Sequence, residues 1–338
     1  MGSTGAVGTR LDGAMTRSVL FLGGTGIISA GSVRLAQERG WSVTVLNRGQ
    51  NLSRPLPDGV EVVHGDVRDV ASVREAIGTR SFDVVCDFLS FTADQVGAMV
   101  EVFDGRTGQF VFISSASAYQ TPPRSLPITE ATTLANPVWQ YSRDKIACED
   151  LLFSAWRDRG FPMTIVRPSH TYDQTSTILG GGRAMVRRLM SGQPVVVHGD
   201  GTSLWTLTHS RDFATGFVGL LGHDAAVGQS FHITSDEALT WNAIVRLFAQ
   251  AAGTAPAIVH VTSDRIAEVH RGWGDALLGD KAHSMVFDNT AVKRLVPDFV
   301  CTTPFSSGIR EIVAHYRDHT EVLPIEAEYE AAIQALLA

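Results

Sequence analysis

Tyr141 and Lys145 stand four residues apart in QYSRDK (140–145). Residues i and i+4 are neighbours on a helix, so a helical reading of this segment sets a phenol beside an ammonium. A free tyrosine, with a pKa of about 10, is a poor base at neutral pH. An adjacent positive charge favours the phenolate and lowers that value, and such a tyrosine can take or return a hydroxyl proton. A second chemical signature lies in VLFLGGTGIISAG, where Gly23, Gly24 and Gly26 fall between an apolar run and a helical pattern. Glycines there let backbone N–H groups approach a pyrophosphate at a helix N-terminus. No lysine follows in the P-loop arrangement.

The elements that must position these groups are legible as periodicity. Short apolar runs at 18–22, 42–46, 60–64, 82–88, 109–114 and 163–168 alternate with helical stretches after the glycines to about Gly40, near 69–78 and near 92–104. Continuous apolar strands separated by helices predict a doubly wound α/β fold, a Rossmann-like parallel sheet covered on both faces. For the helix carrying Tyr141, Asn136 suits a cap, Pro137 the first turn and Arg159-Gly160 the end, which predicts 137–159. Tyr141, Lys145, Cys148 and Leu152 then form one inward stripe. Beyond Pro168 the pattern loosens into a glycine cluster and basic helix (176–192), strand-like material (194–213), a strand at 230–234, an amphipathic helix (239–253) and a largely helical end. The expected organisation is a flexible leader at 1–15, a dinucleotide-binding domain at 16–170 with a returning segment near 208–234, and a smaller mixed α/β substrate lobe at 171–338, partly interleaved. Met15 offers an alternative start.

The chain has 338 residues and a net charge of −7, from 28 basic and 35 acidic side chains. That balance argues against generic binding to nucleic acid or membrane surfaces. Cys86, Cys148 and Cys301 are scattered, so no disulfide framework is expected, and no metal-ligand spacing appears. No apolar run approaches a membrane span and the start lacks a signal-peptide core, so a cytoplasmic location is expected.

For the cofactor, a dinucleotide fold usually carries an acid at the end of its second strand. Here VTVLNRG offers Asn47 and Arg48. Arg48 suits a 2′-phosphate and Asn47 an NAD ribose. NADP or NAD is therefore expected, and the arginine favours NADP. Asp66, after the third strand, is placed to meet an adenine amino group, or else is a turn acid.

The glycine turn, FISSASAYQ after the fifth strand, YSRDK on the next helix, IVRPSHTYD and HGDGTSLWTLTHSRDF together resemble the extended short-chain dehydrogenase/reductases. The likeness is nearest to their NAD-dependent sugar-nucleotide epimerases and dehydratases. That resemblance implies Tyr141 as acid/base, Lys145 as holder of the nicotinamide ribose, and Ser115 as hydrogen-bond donor to the reacting oxygen, with Ser114 and Ser117 as alternatives. It implies a cofactor crevice formed by Gly23, Gly24, Thr25, Gly26, Ile27, Ile28, Asn47, Arg48, Asp66, Val67, Phe88, Leu89, Ser114, Lys145 and Pro168. Ser117, His170, Arg183, Arg187, Trp205 and Arg211 are expected around the substrate. The family also suggests a homodimer.

The sequence departs from the family pattern in places. Ser29 stands for the third glycine, which is expected to loosen helix–strand packing. Ala116 and Ser117 replace the Asp-Glu pair of the 4,6-dehydratases, which counts against dehydration. Trp205 stands where an arginine often meets the diphosphate. The reading that follows is epimerisation of a sugar, expected to be a nucleoside-diphosphate sugar, through a transient ketone. The alternatives are an NADPH-dependent reductase or dehydrogenase of a keto-sugar or other small carbonyl compound, and a non-catalytic dinucleotide-binding scaffold.

Overall fold

Seven parallel strands form the main sheet in a computed structural model that describes residues 16–50, 53–320 and 326–338. The segment read as a leader, 1–15, lies outside the described residues. The elements of the first half are β1 Ser18–Leu22, α1 Ile27–Glu38, β2 Ser42–Asn47, β3 Glu61–His64, α2 Val70–Ile77, β4 Phe82–Asp87, α3 Ala93–Phe103, β5 Thr107–Ile113, α4 Gln140–Arg159 and β6 Met163–Pro168. Next come β7 His170–Tyr172, α5 Gly182–Ser191, β8 Val195–His198, β9 Leu204–His209, α6 Ser210–Leu220 and β10 Ser230–Ile233. The chain closes with β11 Ala238–Thr240, α7 Trp241–Ala252, β12 Ile258–Val261, α8 Ser263–Val269, α9 Arg271–Ala276, α10 Thr290–Leu295, α11 Phe305–Asp318 and α12 Ala327–Leu337. Strand order is β10-β6-β5-β4-β1-β2-β3, so the chain reverses direction of travel between β1 and β4. Ligands of such sheets enter at that switch point, beyond the carboxyl ends of the strands.

The central strands are apolar on both faces because both are covered, while the edge strand β3 is largely exposed. Val19 and Phe21 face one layer with Val33 and Ala36 of α1 and Phe213 and Phe217 of α6. Leu20 and Leu22 face the other, with Val73 of α2, Val100 of α3, and Cys148 and Leu152 of α4. The smaller lobe holds a three-stranded sheet, β11-β9-β7, and a two-stranded one, β12-β8, around its own core. Among the described residues no helix is long and apolar enough to cross a membrane.

One boundary differs from the sequence expectation: α4 begins at Gln140, after Pro137 rather than at it. Asn136 Oδ1 accepts from the N–H groups of Val138 and Trp139, at 3.2 and 2.9 Å, in a turn that precedes the helix. Its Nδ2 donates to the carbonyls of Ser117 and Gly279. These long-range bonds fix the turn and delay the helix. At the other end Gly160 closes α4 in the left-handed region, φ +68°, as the sequence indicated.

Candidate active site

The first βα turn opens a crevice of about 450 Å³ at the switch point. Gly23, Thr25, Gly26, Ile27, Ile28, Asn47, Arg48, Asp66, Val67, Phe88 and Leu89 line it together. Gly23 has φ +85°, and a Cβ there would lie 2.7 Å from Leu89 Cγ; one at Gly24 would lie 2.7 Å from Val45 Cγ1. A side chain is therefore excluded at Gly23, on the crevice, while Gly24 is held small by the core valines and does not line the crevice. Ser29 does not loosen the packing: it is buried, and its Oγ accepts from the Gly26 N–H at 2.9 Å.

Arg48 is half exposed at the crevice, 3.9 Å from Asp66. Asp66 is held at about 2, chiefly by hydrogen bonds from Arg68. Asn47 Oδ1 accepts from Gly49 N–H at 2.8 Å, so that oxygen is already used in the turn. A glycine-lined cradle at a helix N-terminus with a cation at its rim fits a nicotinamide dinucleotide.

A second cavity, about 270 Å³, is lined by Ser115, Ser117, Trp139, Tyr141, Pro168, His170, Trp205, Asp280 and Lys281. Burial pushes the Tyr141 phenol up; the Ser115 hydroxyl opposes this by hydrogen bonding, and the Asp280 carboxylate adds to the rise. Ser115 and Ser117 share a hydrogen bond of 2.9 Å, and Ser142 Oγ donates to Ser117 at 2.8 Å.

The Lys145 ammonium departs from the sequence expectation of depressing the phenol. Its Nζ turns inward to donate to the carbonyls of Ser90 and Ile113, both at 2.8 Å, and lies 4.6 Å from the Phe91 and Phe112 rings. Burial pulls its pKa down to about 8. Asp87 shapes this floor: its Oδ1 accepts from Leu89 and Ser90 N–H groups and bends that loop over β4.

Other expected site residues are placed elsewhere than expected. Ser114 donates to Glu149 Oε1 at 2.5 Å and is buried. Glu149 is in turn paired with Arg167, which also meets the Tyr119 hydroxyl. Pro168 lines the Tyr141 cavity, not the glycine crevice. Arg187 bonds Glu330, alongside Arg188, and Arg211 bonds Glu311, so neither lines the Tyr141 cavity. Arg183 lines a third cavity, about 390 Å³, with Arg54 and His315; this one shares Ile27 with the crevice and His170 with the Tyr141 cavity.

Sequence reasoning missed Trp139, Asp280, Lys281 and Arg54. Trp139 was detectable as an aromatic two positions before Tyr141. Asp280 and Lys281 lie in GDALLGDKAHS, which has no motif, and they arrive through a π-helical turn, Leu277–Lys281.

The family model of the NAD-dependent epimerase/dehydratase family matches residues 19–234. The 2′-dehydrokanamycin reductase of Streptomyces kanamyceticus is 27% identical over 287 residues, covering 84% of this chain and 80% of that protein. A chloroplast stem-loop binding protein of Arabidopsis thaliana is 27% identical over 257 residues, covering 72% and 66%. Among solved structures, the epimerase Mth375 of Methanothermobacter thermautotrophicus superposes with a TM-score of 0.76 at 16% identity, over 91% of this chain and 94% of that one.

Proposed function

The chain belongs to the NAD-dependent epimerase/dehydratase family, and on that footing we propose that it interconverts a secondary alcohol and a ketone on a sugar, with Tyr141 as acid and base, as the chemical step of an epimerisation. The observation that carries this reading is that Tyr141 and Ser115 line one cavity, at the carboxyl end of the sheet beside a glycine-lined crevice. Gly23, Gly26 and Arg48 would hold the dinucleotide, and Lys145 its nicotinamide ribose. When bound, the nicotinamide supplies the acceptor and donor of hydride.

The side chains manage the proton. In the oxidative half the carbinol C–H bond breaks with its electron pair and the hydroxyl proton passes to the Tyr141 oxygen; in the reductive half the same proton returns to the ketone oxygen. Burial keeps the phenol protonated at neutral pH, the form that donates to a ketone; the oxidative half requires the phenolate, so the phenol must first release its own proton to solvent. Ser115, steadied by Ser117 and Ser142, orients the reacting oxygen. Isomers then arise when the ketone turns over between the two halves.

Net reduction of a keto-sugar is the second reading. Arg48 favours it, because a 2′-phosphate would find a half-exposed guanidinium at the crevice rim, and so does the likeness to a reductase. A scaffold reading accords with the stem-loop binding relative; the intact Tyr141–Ser115 pair and the net charge of −7 count against it.

The test is to release and identify any nicotinamide nucleotide from purified protein, then follow NADPH absorbance and product stereochemistry with a panel of nucleoside-diphosphate sugars and keto-sugars. Isomers without net cofactor change are expected. Stoichiometric oxidation of NADPH would move the assignment to reductase, and absence of both nucleotide and turnover would leave a scaffold.

A further inference from the structure

The wall facing Tyr141 is built by the turn 277–281, and three contacts fix it. The Lys281 carbonyl accepts from His198 Nε2 at 2.9 Å and from Trp241 Nε1 at 3.1 Å. The Gly279 carbonyl accepts from Asn136 Nδ2 at 2.6 Å, and a Cβ at Gly279 would lie 2.6 Å from Trp139 Cβ. Asn136 also holds the turn that leads into α4, so one side chain ties the wall to the helix that carries Tyr141. A π-turn is rare in proteins and concentrates at functional sites.

That turn delivers a carboxylate and an ammonium to one cavity. The Asp280 carboxylate is about nine-tenths buried, and its ion-pair partner among the described residues is Lys281 Nζ, a loose 3.5 Å away. Lys281 Nζ also lies over the Trp139 and Trp205 rings, at 5.2 and 5.5 Å. His170 accepts from Trp205 Nε1 through Nδ1 at 3.1 Å, which assigns the ring proton of the neutral imidazole to Nε2. Burial holds this imidazole neutral, near 3.

Several surrounding cations are engaged with carboxylates, Arg54 with Asp173, Arg187 and Arg188 with Glu330, and Arg211 with Glu311, while Arg183 of the adjoining cavity is set against the Tyr316 hydroxyl. The cavity therefore offers an acceptor and a donor side by side with little net charge. Adjacent hydroxyls of a ring, each both donor and acceptor, match that pattern, whereas a phosphate or carboxylate in this cavity would face the Asp280 carboxylate, with Lys281 already paired to it.

Resting on the alcohol–ketone reading, we propose that Asp280 and Lys281 are the specificity pair of the reaction: they clamp neighbouring hydroxyls of an uncharged sugar ring, and no anionic group of the substrate contacts them. Asp280 accepts from one hydroxyl and Lys281 donates to the next, while Tyr141 meets the reacting oxygen.

The experiment is ligand-observed NMR titration of the protein as purified with D-galactose, D-glucose and D-galacturonate, up to about 50 mM each, a range that covers millimolar affinities. One hexose or both should bind about tenfold more tightly than galacturonate, as expected when a charge is brought to a buried, unpaired contact. Asp280→Asn, which leaves Lys281 uncompensated, should cut that preference to roughly threefold or less. Lys281→Gln should widen it instead, and this opposite sign keeps the test decisive should either variant fold poorly. Galacturonate binding as well as the hexoses, an unchanged preference in both variants, or no sugar binding by folded protein would each overturn the proposal. Turnover of a non-sugar carbonyl with no hexose binding would overturn the clamp alone. An active Tyr141→Phe enzyme that still prefers hexoses would overturn the proton role alone.

Discussion

Two lysines flank the candidate site, and they are held in different ways. Lys145 reaches from α4 into the floor, over two phenylalanines and bonded to two main-chain carbonyls. Lys281 lies in the rim, over two indoles and paired to a carboxylate in its own turn. Both owe their place to aromatic faces, which attract a cation. The floor is rigid because β4, β5 and α4 all converge there; the rim depends on one five-residue turn anchored from three distant residues. The floor is thus suited to a fixed proton and cofactor geometry, and the rim to the part of the reaction that differs among substrates.

If the floor holds the chemistry, Tyr141→Phe should lower kcat by about 10²- to 10⁴-fold, the usual weight of a general acid or base. Equilibrium dinucleotide binding should be unchanged, since the phenol is not in the crevice. A Phe variant with normal turnover would remove the tyrosine from the mechanism.

Next in size is the ion pair behind the floor. Arg167→Met leaves Glu149 buried without its partner and should destabilise the fold by roughly 3–5 kcal/mol in denaturant titration. Adding Glu149→Leu should recover much of that loss; equal instability of the single and double variants would show that packing, not the stranded charge, dominates.

The rim should reveal itself through pH. Burial raises Asp280 from 3.8 to about 6. Between these values the folded protein binds more protons than the unfolded chain, so stability falls as pH rises through the window. The destabilisation is complete above about 6 and absent below 3.8. Asp280→Asn should flatten this slope, a difference on the order of 2–3 kcal/mol across the window. Parallel stability curves for the two proteins would refute it.

The smallest effect is expected at the far end of the crevice, where Arg48 is half exposed. Arg48→Ala should weaken NADPH relative to NADH by roughly fivefold, a surface-pair magnitude of about 1 kcal/mol. An unchanged ratio would turn the cofactor preference toward NAD.

Much of the floor was legible because its determinants are local. Both β1, 18–22, and β6, 163–168, fall where the apolar runs lie, and the Lys145, Cys148 and Leu152 stripe is buried as its spacing implied. Ser114 and Ser115 show the limit: adjacent serines look alike in sequence, but just past the end of β5 one is buried against Glu149 and the other lines the Tyr141 cavity. The start of α4 was missed because Asn136 answers to Gly279, more than a hundred residues away. Arg187 and Arg211 looked available, since nothing local announces Glu330 and Glu311.

The sequence by itself determined the doubly wound sheet, the glycine turn at its first strand, and the helix that sets Tyr141 one turn from Lys145. Periodicity and backbone sterics act over a few residues and need no knowledge of partners. Only the tertiary structure decided where each charge would point and what would face it, because burial and pairing belong to neighbours that the chain brings together from afar. Lys145 turned to carbonyls and Asp280 arrived opposite Tyr141 for that reason.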